Sequence, residues 1–139
     1  MENKEKYNNL AKLVEKLKKS EDPKRKYEYI LWLGKKLKKP DSNILIAENK
    51  VKGCVSEVFV KANIKSGKLF WEGYSDALIT KGLLAFLITG LNELTPNEVV
   101  KLDKKFIEDT GLKASLTPSR SNGFLNILLK MQSQANEFL

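Results

Sequence analysis

The stretch VSEVFVKANIKSGKLFWEGY, residues 55–74, decides the fold that we expect for this chain. Val55–Ile64 is rich in β-branched and aromatic residues, which favours a strand. The next four residues, Lys65–Lys68, form a turn signal, and Leu69–Tyr74 reads as a second strand. We therefore predict an antiparallel hairpin, to which Asn49–Lys52 is a candidate for a short third strand.

Helical patterns flank this hairpin on both sides. Apolar residues recur at spacings of three and four over Lys4–Lys19 and Pro23–Leu37, and Asp22 is a good N-cap for the second of these helices. After the hairpin we predict a very apolar helix over Asp76–Leu91, followed by helices that begin near Pro96 and Pro118. Strands and helices that are segregated along the chain indicate an α+β fold, with a small antiparallel three-stranded sheet packed against helices. The length of 139 residues fits a single domain over 1–139.

The composition excludes several classes of chemistry. The chain has one cysteine and no histidine, so it cannot form an internal disulfide, a Cys/His zinc site or an iron–sulfur site from its own thiolates. We expect no metal and no cofactor. No apolar run approaches the roughly 20 residues of a membrane span, and the first residues lack the features of a secretion signal. We therefore expect no membrane partner and a cytoplasmic protein.

The charge is positive and unevenly placed. The net charge is +8, and residues 1–61 hold 16 Lys and Arg against 9 Asp and Glu. A basic half can face nucleic acid or an acidic partner protein, although a solvated lysine-rich surface is the simpler interpretation. The aromatic residues of this half fall largely on or near the apolar stripes, and core packing would explain most of them. Without a recognised motif, a nucleic-acid partner is not expected, and a basic nucleic-acid-binding domain remains the alternative. These aromatic residues are Tyr7, Tyr27, Tyr29 and Trp32.

Cys54 is the one candidate thiol nucleophile in the chain. Gly53 before it can adopt a positive φ, which suits a tight bend that offers the next side chain at a loop tip. Lys50 and Lys52 could stabilise a thiolate, whereas burial would raise the pKa of the thiol. The residues alone leave both outcomes open, including an adaptor domain with an inert, buried Cys54.

Several motifs around this cysteine carry a resemblance to a known family. Val51-Lys52-Gly53-Cys54-Val55-Ser56-Glu57-Val58 resembles the V-x-G-C-x-S-x-V signature of the SufE family, whose cysteine accepts sulfur. Three further blocks resemble family motifs in the same order along the chain. They are Tyr27–Gly34, Ser75–Ala77 with Lys81–Ala85, and Gly111–Leu112 with Leu116–Gly123.

The resemblance implies a function in sulfur transfer. Cys54 would take a persulfide sulfur from a SufS-like, pyridoxal-phosphate-dependent cysteine desulfurase, stimulate that enzyme, and deliver the sulfur to a SufB-like scaffold of iron–sulfur cluster assembly. The protein itself would not be an enzyme, and a homodimer is left open. The fold implied is the two-layer fold shared by the SufE and IscU families. An IscU-type scaffold is disfavoured because one thiol cannot hold a cluster.

The resemblance also implies which residues support Cys54. Gly53 would shape the loop, and Ser56 could hydrogen-bond the backbone of that loop. Arg120 follows Thr-Pro-Ser near a helix start, where a cation opposes the helix dipole, so we expect its partner to be a carboxylate or the region around Cys54. Asp76 is expected to act structurally, as an acidic residue in the first turn of its helix.

Overall fold

The computed structural model describes residues 5–139, and its elements follow the α+β order predicted from the sequence. Lys4, the predicted start of the first helix, lies outside these residues. Three short 3₁₀ turns occupy connecting segments, two of them just before the cysteine loop. The helices are α1 Asn8–Lys19, α2 Pro23–Lys35, α3 Leu78–Leu91, α4 Pro96–Lys101, α5 Phe106–Asp109 and α6 Pro118–Asn136, and the strands are β1 Val58–Lys65 and β2 Lys68–Ser75.

The predicted hairpin is confirmed, with β1 and β2 paired antiparallel from Val58 opposite Ser75 to Lys65 opposite Lys68. Ser66 and Gly67 connect the strands and both have positive φ, as a two-residue type I′ turn requires. Alternate residues of both strands are buried, so one face of the hairpin packs on helices and the other faces outward.

The prediction of a three-stranded sheet is wrong, because the third strand is reduced to a single bridge between Lys50 and Phe59. Beyond this bridge the outer edge of β1 is occupied by a side chain of α6. Gln134 Oε1 accepts a hydrogen bond from Ala62 N at 2.8 Å, and its Nε2 donates to Val60 O at 2.7 Å. On the other side of the bridge the chain bends at Gly53, so no room is left for a longer strand.

Helix α3 is the centre of the molecule and contacts α1, α2, β2 and α6. Most of its circumference is buried, as its apolar sequence predicts. It crosses α2 at a very short distance, since a Cβ on Gly34 would lie 2.9 Å from Gly82 N and a Cβ on Gly82 would collide with the Ile30 carbonyl. None of the helices within residues 5–139 is long and apolar enough to cross a membrane.

Polar side chains cap the starts of α2 and α4, whereas α3 begins without a side-chain cap. Asp22 accepts from Lys24 N at the start of α2, and Thr95 and Glu98 form the capping box of α4. Helix α3 begins at Leu78, two residues later than predicted, and Ala77 is still extended. Asp76 therefore does not lie in the first turn. Its carboxylate is instead bound to the backbone near Cys54, as described below.

Core packing accounts for fewer of the aromatic residues in the basic half than we expected. Tyr7 is buried and Tyr29 is half-buried, but Tyr27 is 37% exposed and Trp32 is 46% exposed. Tyr29 and Trp32 stack on the surface of α2, with their ring centroids 5.7 Å apart. The exposed surface of α2 thus includes aromatic side chains, and Lys36 lies over the ring of Trp32.

Candidate functional site

Cys54 lies in a short loop, residues 52–57, between the Lys50 bridge and β1. Gly53 makes the bend with φ +81°, a conformation that other residues adopt only with strain. A side chain of α6 packs directly on this bend, because Asn126 Nδ2 donates to Gly53 O at 3.2 Å and would lie 2.6 Å from a Cβ at position 53. The positive φ requires glycine here, and a Cβ would also displace the Asn126 side chain.

The other end of the loop is held by the segment that leads into α3. Asp76 Oδ1 accepts a hydrogen bond from Glu57 N at 3.0 Å, and Asp76 N donates to Glu57 O at 3.3 Å. The carboxylate thus fixes the loop backbone three residues after Cys54. With Asn126 at the beginning and Asp76 at the end, the loop is bound on both sides of the cysteine.

The sulfur of Cys54 is half-buried against α6 and the edge of the core. Its thiol makes a weak hydrogen bond to Gly123 O, with a sulfur–oxygen distance of 3.8 Å. Burial raises the pKa of the Cys54 thiol above its ordinary value, and no charge among the described residues offsets this effect. Of the two outcomes that the sequence left open, desolvation prevails over the lysines at positions 50 and 52, which are both exposed.

Beside the sulfur, three polar side chains form a chain of hydrogen bonds. Arg120 Nη1 donates to Thr80 Oγ1 at 2.9 Å, and the Thr80 hydroxyl lies 3.4 Å from Ser56 Oγ. Thr80 is buried at the start of α3, so it connects α6 to the cysteine loop. Arg120 thereby has its partner in the region around Cys54, one of the two places that the sequence suggested.

Cys54, Ser56 and Arg120 line one small cavity together with Thr80 and Gly123. Its volume is about 10 Å³, which is room for one water molecule at most. Such a cavity cannot enclose a substrate, so a reaction partner has to approach the loop from solvent. The adjacent Val55 is 86% exposed and presents an apolar side chain at that approach. Within residues 5–139, no group of three or more His, Cys, Asp or Glu could hold a metal ion.

The structure brings together residues that the sequence singled out and others that it did not. Cys54, Ser56 and Arg120 share the cavity, and Gly53 makes the neighbouring bend. Thr80 and Asn126 were missed. The spacing of three residues from Arg120 to Gly123 to Asn126 places all three on one face of α6 and could have indicated Asn126. Thr80 has no such signal, since nothing in the sequence distinguishes it from the other polar residues of the apolar helix α3.

Comparisons with known proteins agree on one family. A family model described as "SufE: Fe-S metabolism associated domain" matches residues 11–135. An uncharacterized SufE-like protein of Synechocystis is 54% identical over 130 residues, which cover 94% of this chain and 82% of the relative. SufE-like protein 1, chloroplastic/mitochondrial, of Arabidopsis thaliana is 40% identical over 91% of this chain and 34% of the relative.

More distant relatives extend the comparison. The cysteine desulfuration protein SufE of Plasmodium falciparum is 34% identical over 79% of this chain and 46% of the relative. The chain thus spans less than half the length of the plant and malarial proteins. The solution structure of a hypothetical protein from Thermus thermophilus covers 93% of this chain with a TM-score of 0.79 and 24% identity, which shows a shared fold.

Proposed function

Because the chain belongs to the SufE family, we propose that it accepts a persulfide sulfur from a cysteine desulfurase onto Cys54 and passes it on to iron–sulfur cluster assembly. The observation that carries this proposal is the position of the only cysteine. Cys54 lies at a loop held from both sides, beside the guanidinium of Arg120 and next to the exposed Val55. A loop of this kind offers a thiol to a protein partner and not to a small substrate.

The transfer step is a thiol–persulfide exchange. The Cys54 thiol loses its proton, and the thiolate attacks the outer sulfur of the persulfide on the desulfurase. A sulfur–sulfur bond forms at Cys54 while the bond to the desulfurase cysteine breaks, and that cysteine leaves as a thiolate that takes up a proton. One persulfide and one thiol enter and leave the step, so no external oxidant or reductant is needed.

The surroundings of Cys54 suggest how the step is controlled. In the free protein, burial raises the pKa of the thiol, which keeps it protonated and protects it from unwanted reaction. A partner that exposes the sulfur on docking would remove this burial. Arg120 lines the same cavity, and its cation would then stabilise the anionic sulfur. Thr80 and Ser56 would help to keep Arg120 in place.

The partners follow from the same proposal. A SufS-like cysteine desulfurase would donate the sulfur, and a SufB-like scaffold would receive it, while this protein acts as an accessory and not as an enzyme. The name of the malarial relative links that protein to cysteine desulfuration, and the family description links the family to Fe-S metabolism. The cytoplasmic location and a homodimer stay predictions, and the name of the plant relative places that protein in chloroplasts and mitochondria.

Intact-mass spectrometry tests the proposal directly. The protein is mixed with a cysteine desulfurase and free cysteine, and we expect a gain of one sulfur that a reductant removes. Two variants serve as controls. Cys54→Ser should gain nothing, and Cys54→Ser combined with Ser56→Cys keeps one thiol but moves it two residues along the loop, so it should gain much less than the natural protein.

The outcomes separate the proposal from its alternatives. Equal sulfur gain by the relocated thiol would mean that the exact position of the thiol within the loop does not matter. No gain with several desulfurases, from a folded protein, would refute the carrier function. If the protein still bound a desulfurase in that case, it would be an adaptor with an inert cysteine.

A further inference from the structure

A second cavity is much larger than the one at Cys54. It is bordered by the end of α2, by the segment 36–41 that follows this helix, by strand β2 and by helix α3. Its volume is about 690 Å³, within the range of roughly 300–1,000 Å³ that is usual for sites of small molecules. None of the residues that line it also lines the cavity at Cys54. The mechanism proposed above therefore makes no use of it.

Both tryptophans of the chain line this cavity. Trp32 is 46% exposed and offers an aromatic surface at the rim, whereas Trp71 is only 7% exposed and lies deeper. Within residues 5–139, Trp71 Nε1 is the one buried side-chain nitrogen or oxygen that has no hydrogen-bond partner. This nitrogen has almost no accessible surface, so Trp71 contributes an apolar ring to the wall of the cavity and offers no donor to its interior.

The charges around the cavity favour an anion. Lys36, Lys38 and Lys39 line it, against the two carboxylates of Asp41 and Glu72. Both carboxylates already accept hydrogen bonds, Asp41 from Asn43 N and Glu72 from Asn63 Nδ2. The lining has a net charge of +1. Since both carboxylates already bind a donor, the three ammonium groups are the charges available to a ligand.

One of these cations is placed where it could exchange partners. Lys36 Nζ lies 3.8 Å from the centroid of the Trp32 ring, a cation–π contact at an exposed position. Such a contact at the surface is weak, and the lysine side chain is flexible. A planar ring could take the place of the ammonium on Trp32 and release Lys36 to bind a negative group.

We propose that this cavity binds a small organic anion that combines a planar aromatic ring with a phosphate or carboxylate group. The ring would lie on Trp32 in place of the Lys36 ammonium. The negative group would bind Lys36 and its neighbouring lysines, and the buried ring of Trp71 would form part of the apolar wall. The site is independent of Cys54, so binding and sulfur transfer can be tested separately.

Two tryptophans in one cavity make the test direct. Each gives one indole N–H signal in a ¹⁵N NMR spectrum, and no other tryptophan contributes. The probes are adenosine 5′-monophosphate and 2-naphthoate, with adenosine and ribose 5-phosphate as controls that lack the anion or the ring. We expect saturable shifts of both indole signals with the two probes, and binding at least about tenfold weaker with each control.

Variants then assign the contacts. Lys36→Gln should weaken binding of adenosine 5′-monophosphate by about tenfold, as expected for the loss of one charge-assisted hydrogen bond. Lys35→Gln, with the same change of charge outside the cavity, should have little effect. Trp32→Ala, which removes the ring on which the ligand would lie, should also weaken binding. Since Lys36 and Trp32 are both exposed, neither substitution disturbs the core.

Three results would overturn the proposal. The first is the absence of a saturable indole shift with both probes. The second is binding of ribose 5-phosphate as tight as that of adenosine 5′-monophosphate, which would indicate simple attraction to lysines. The third is an equal loss in Lys35→Gln and Lys36→Gln, which would indicate an effect of net charge alone.

Discussion

Two requirements oppose each other at Cys54, because a sulfur acceptor needs a thiolate whereas a half-buried thiol resists ionisation. Burial raises the pKa of Cys54, so we expect the native protein to hold less thiolate at neutral pH than the unfolded chain does. Alkylation by iodoacetamide, which requires the thiolate, should be slower in the native state. Its rate should rise with pH through a midpoint above the ordinary thiol value of about 8.5.

The same shift has a consequence for stability. Since the pKa is higher in the folded state, the folded protein holds this proton more tightly than the unfolded chain. The resulting stabilisation is complete below the unfolded pKa and is lost as the pH rises through the folded pKa. Rate profiles in native buffer and in urea, with Cys54→Ser as the unlabelled control, measure both values. A native midpoint at or below the unfolded one would show that a cation controls the thiol instead of burial.

At Gly53, the energetic cost of the positive φ can be measured separately from the cost of a contact with Asn126. Gly53→Ala should cost about 1–2 kcal/mol for the positive φ, and more because its Cβ would meet Asn126 Nδ2. Gly67→Ala is a matched control, since Gly67 has a similar φ of +77° but none of the described residues comes within 4 Å of its Cβ position. We expect Gly53→Ala to destabilise the protein more than Gly67→Ala in urea unfolding.

Asn126→Ala should itself cost about 0.5–1.5 kcal/mol, the usual net value of one hydrogen bond. In the Asn126→Ala background, the additional cost of Gly53→Ala should fall to that of Gly67→Ala, because the collision is gone while the strain remains. An unchanged cost of Gly53→Ala in that background would contradict a role for Asn126 at the bend. In that case the loop would be fixed mainly from the Asp76 side.

At the scale of elements, the hairpin depends on other segments to cover both of its edges. Leu69 of β2 exchanges backbone hydrogen bonds with Glu93 and Leu94, and Gln134 covers the outer edge of β1. Gln134→Leu keeps a side chain of similar size but leaves Ala62 N and Val60 O without partners. We expect a loss of about 2–4 kcal/mol in the free energy of unfolding, measured by urea denaturation.

Gln132→Leu is the matched control for this prediction. Gln132 also makes two hydrogen bonds from α6, to Val99 O and Leu102 O, but it is only half-buried. Water can replace its amide, so the loss should be near about 1 kcal/mol. Equal losses in the two variants would mean that the edge of β1 does not depend on Gln134.

These contacts also explain which elements could be predicted from the sequence. The hairpin, its turn and the caps at Asp22, Thr95 and Thr117 are local, because the residues that determine them lie within a few positions of one another. The prediction of a third strand was wrong because a residue distant in sequence, Gln134 of α6, occupies the edge of β1. Likewise, acidic residues such as Asp76 are common at helix starts, but the carboxylate of Asp76 binds the backbone of Glu57, 19 residues earlier.

For the site, the sequence motifs indicated Cys54, Gly53, Ser56 and Arg120, and three of these share a cavity. The hydrogen bonds that connect them through Thr80 depend on how α3 and α6 pack. No pattern of neighbouring residues in the sequence predicts this packing. The direction of the pKa shift at Cys54 was also undecided in the sequence, because it depends on burial by α6. In this protein, local signals indicated the residues, and tertiary packing determined how they are related.

At the scale of the whole molecule, helix α3 links the two cavities that have been described. Its first turns carry Thr80 beside Cys54, and its later turns carry Ala85 and Ile88 in the wall of the second cavity. Because α3 is buried along most of its circumference, the two sites are held in a fixed relation by the core. A small molecule in the second cavity should therefore leave the alkylation rate of Cys54 unchanged.

The uneven charge of the chain leads to a prediction about association. Residues 1–61 carry most of the net charge of +8, and a basic surface speeds the approach of a partner with an acidic one. Replacing Lys35, Lys36, Lys38 and Lys39 by glutamine should slow association with the desulfurase at low salt by about tenfold or more. At about 0.15 M salt the Debye length is only about 8 Å, so the difference should shrink.

The control is a variant with the same change of charge in the second half of the chain, residues 62–139. Lys101, Lys104, Lys105 and Lys113 are all exposed, and their replacement by glutamine lowers the net charge equally. Stopped-flow association rates over a series of salt concentrations should show a steep dependence for the control and a flat one for the first variant. If both variants slow association equally, net charge alone steers the encounter, and the placement of the lysines on the first half has no role in docking.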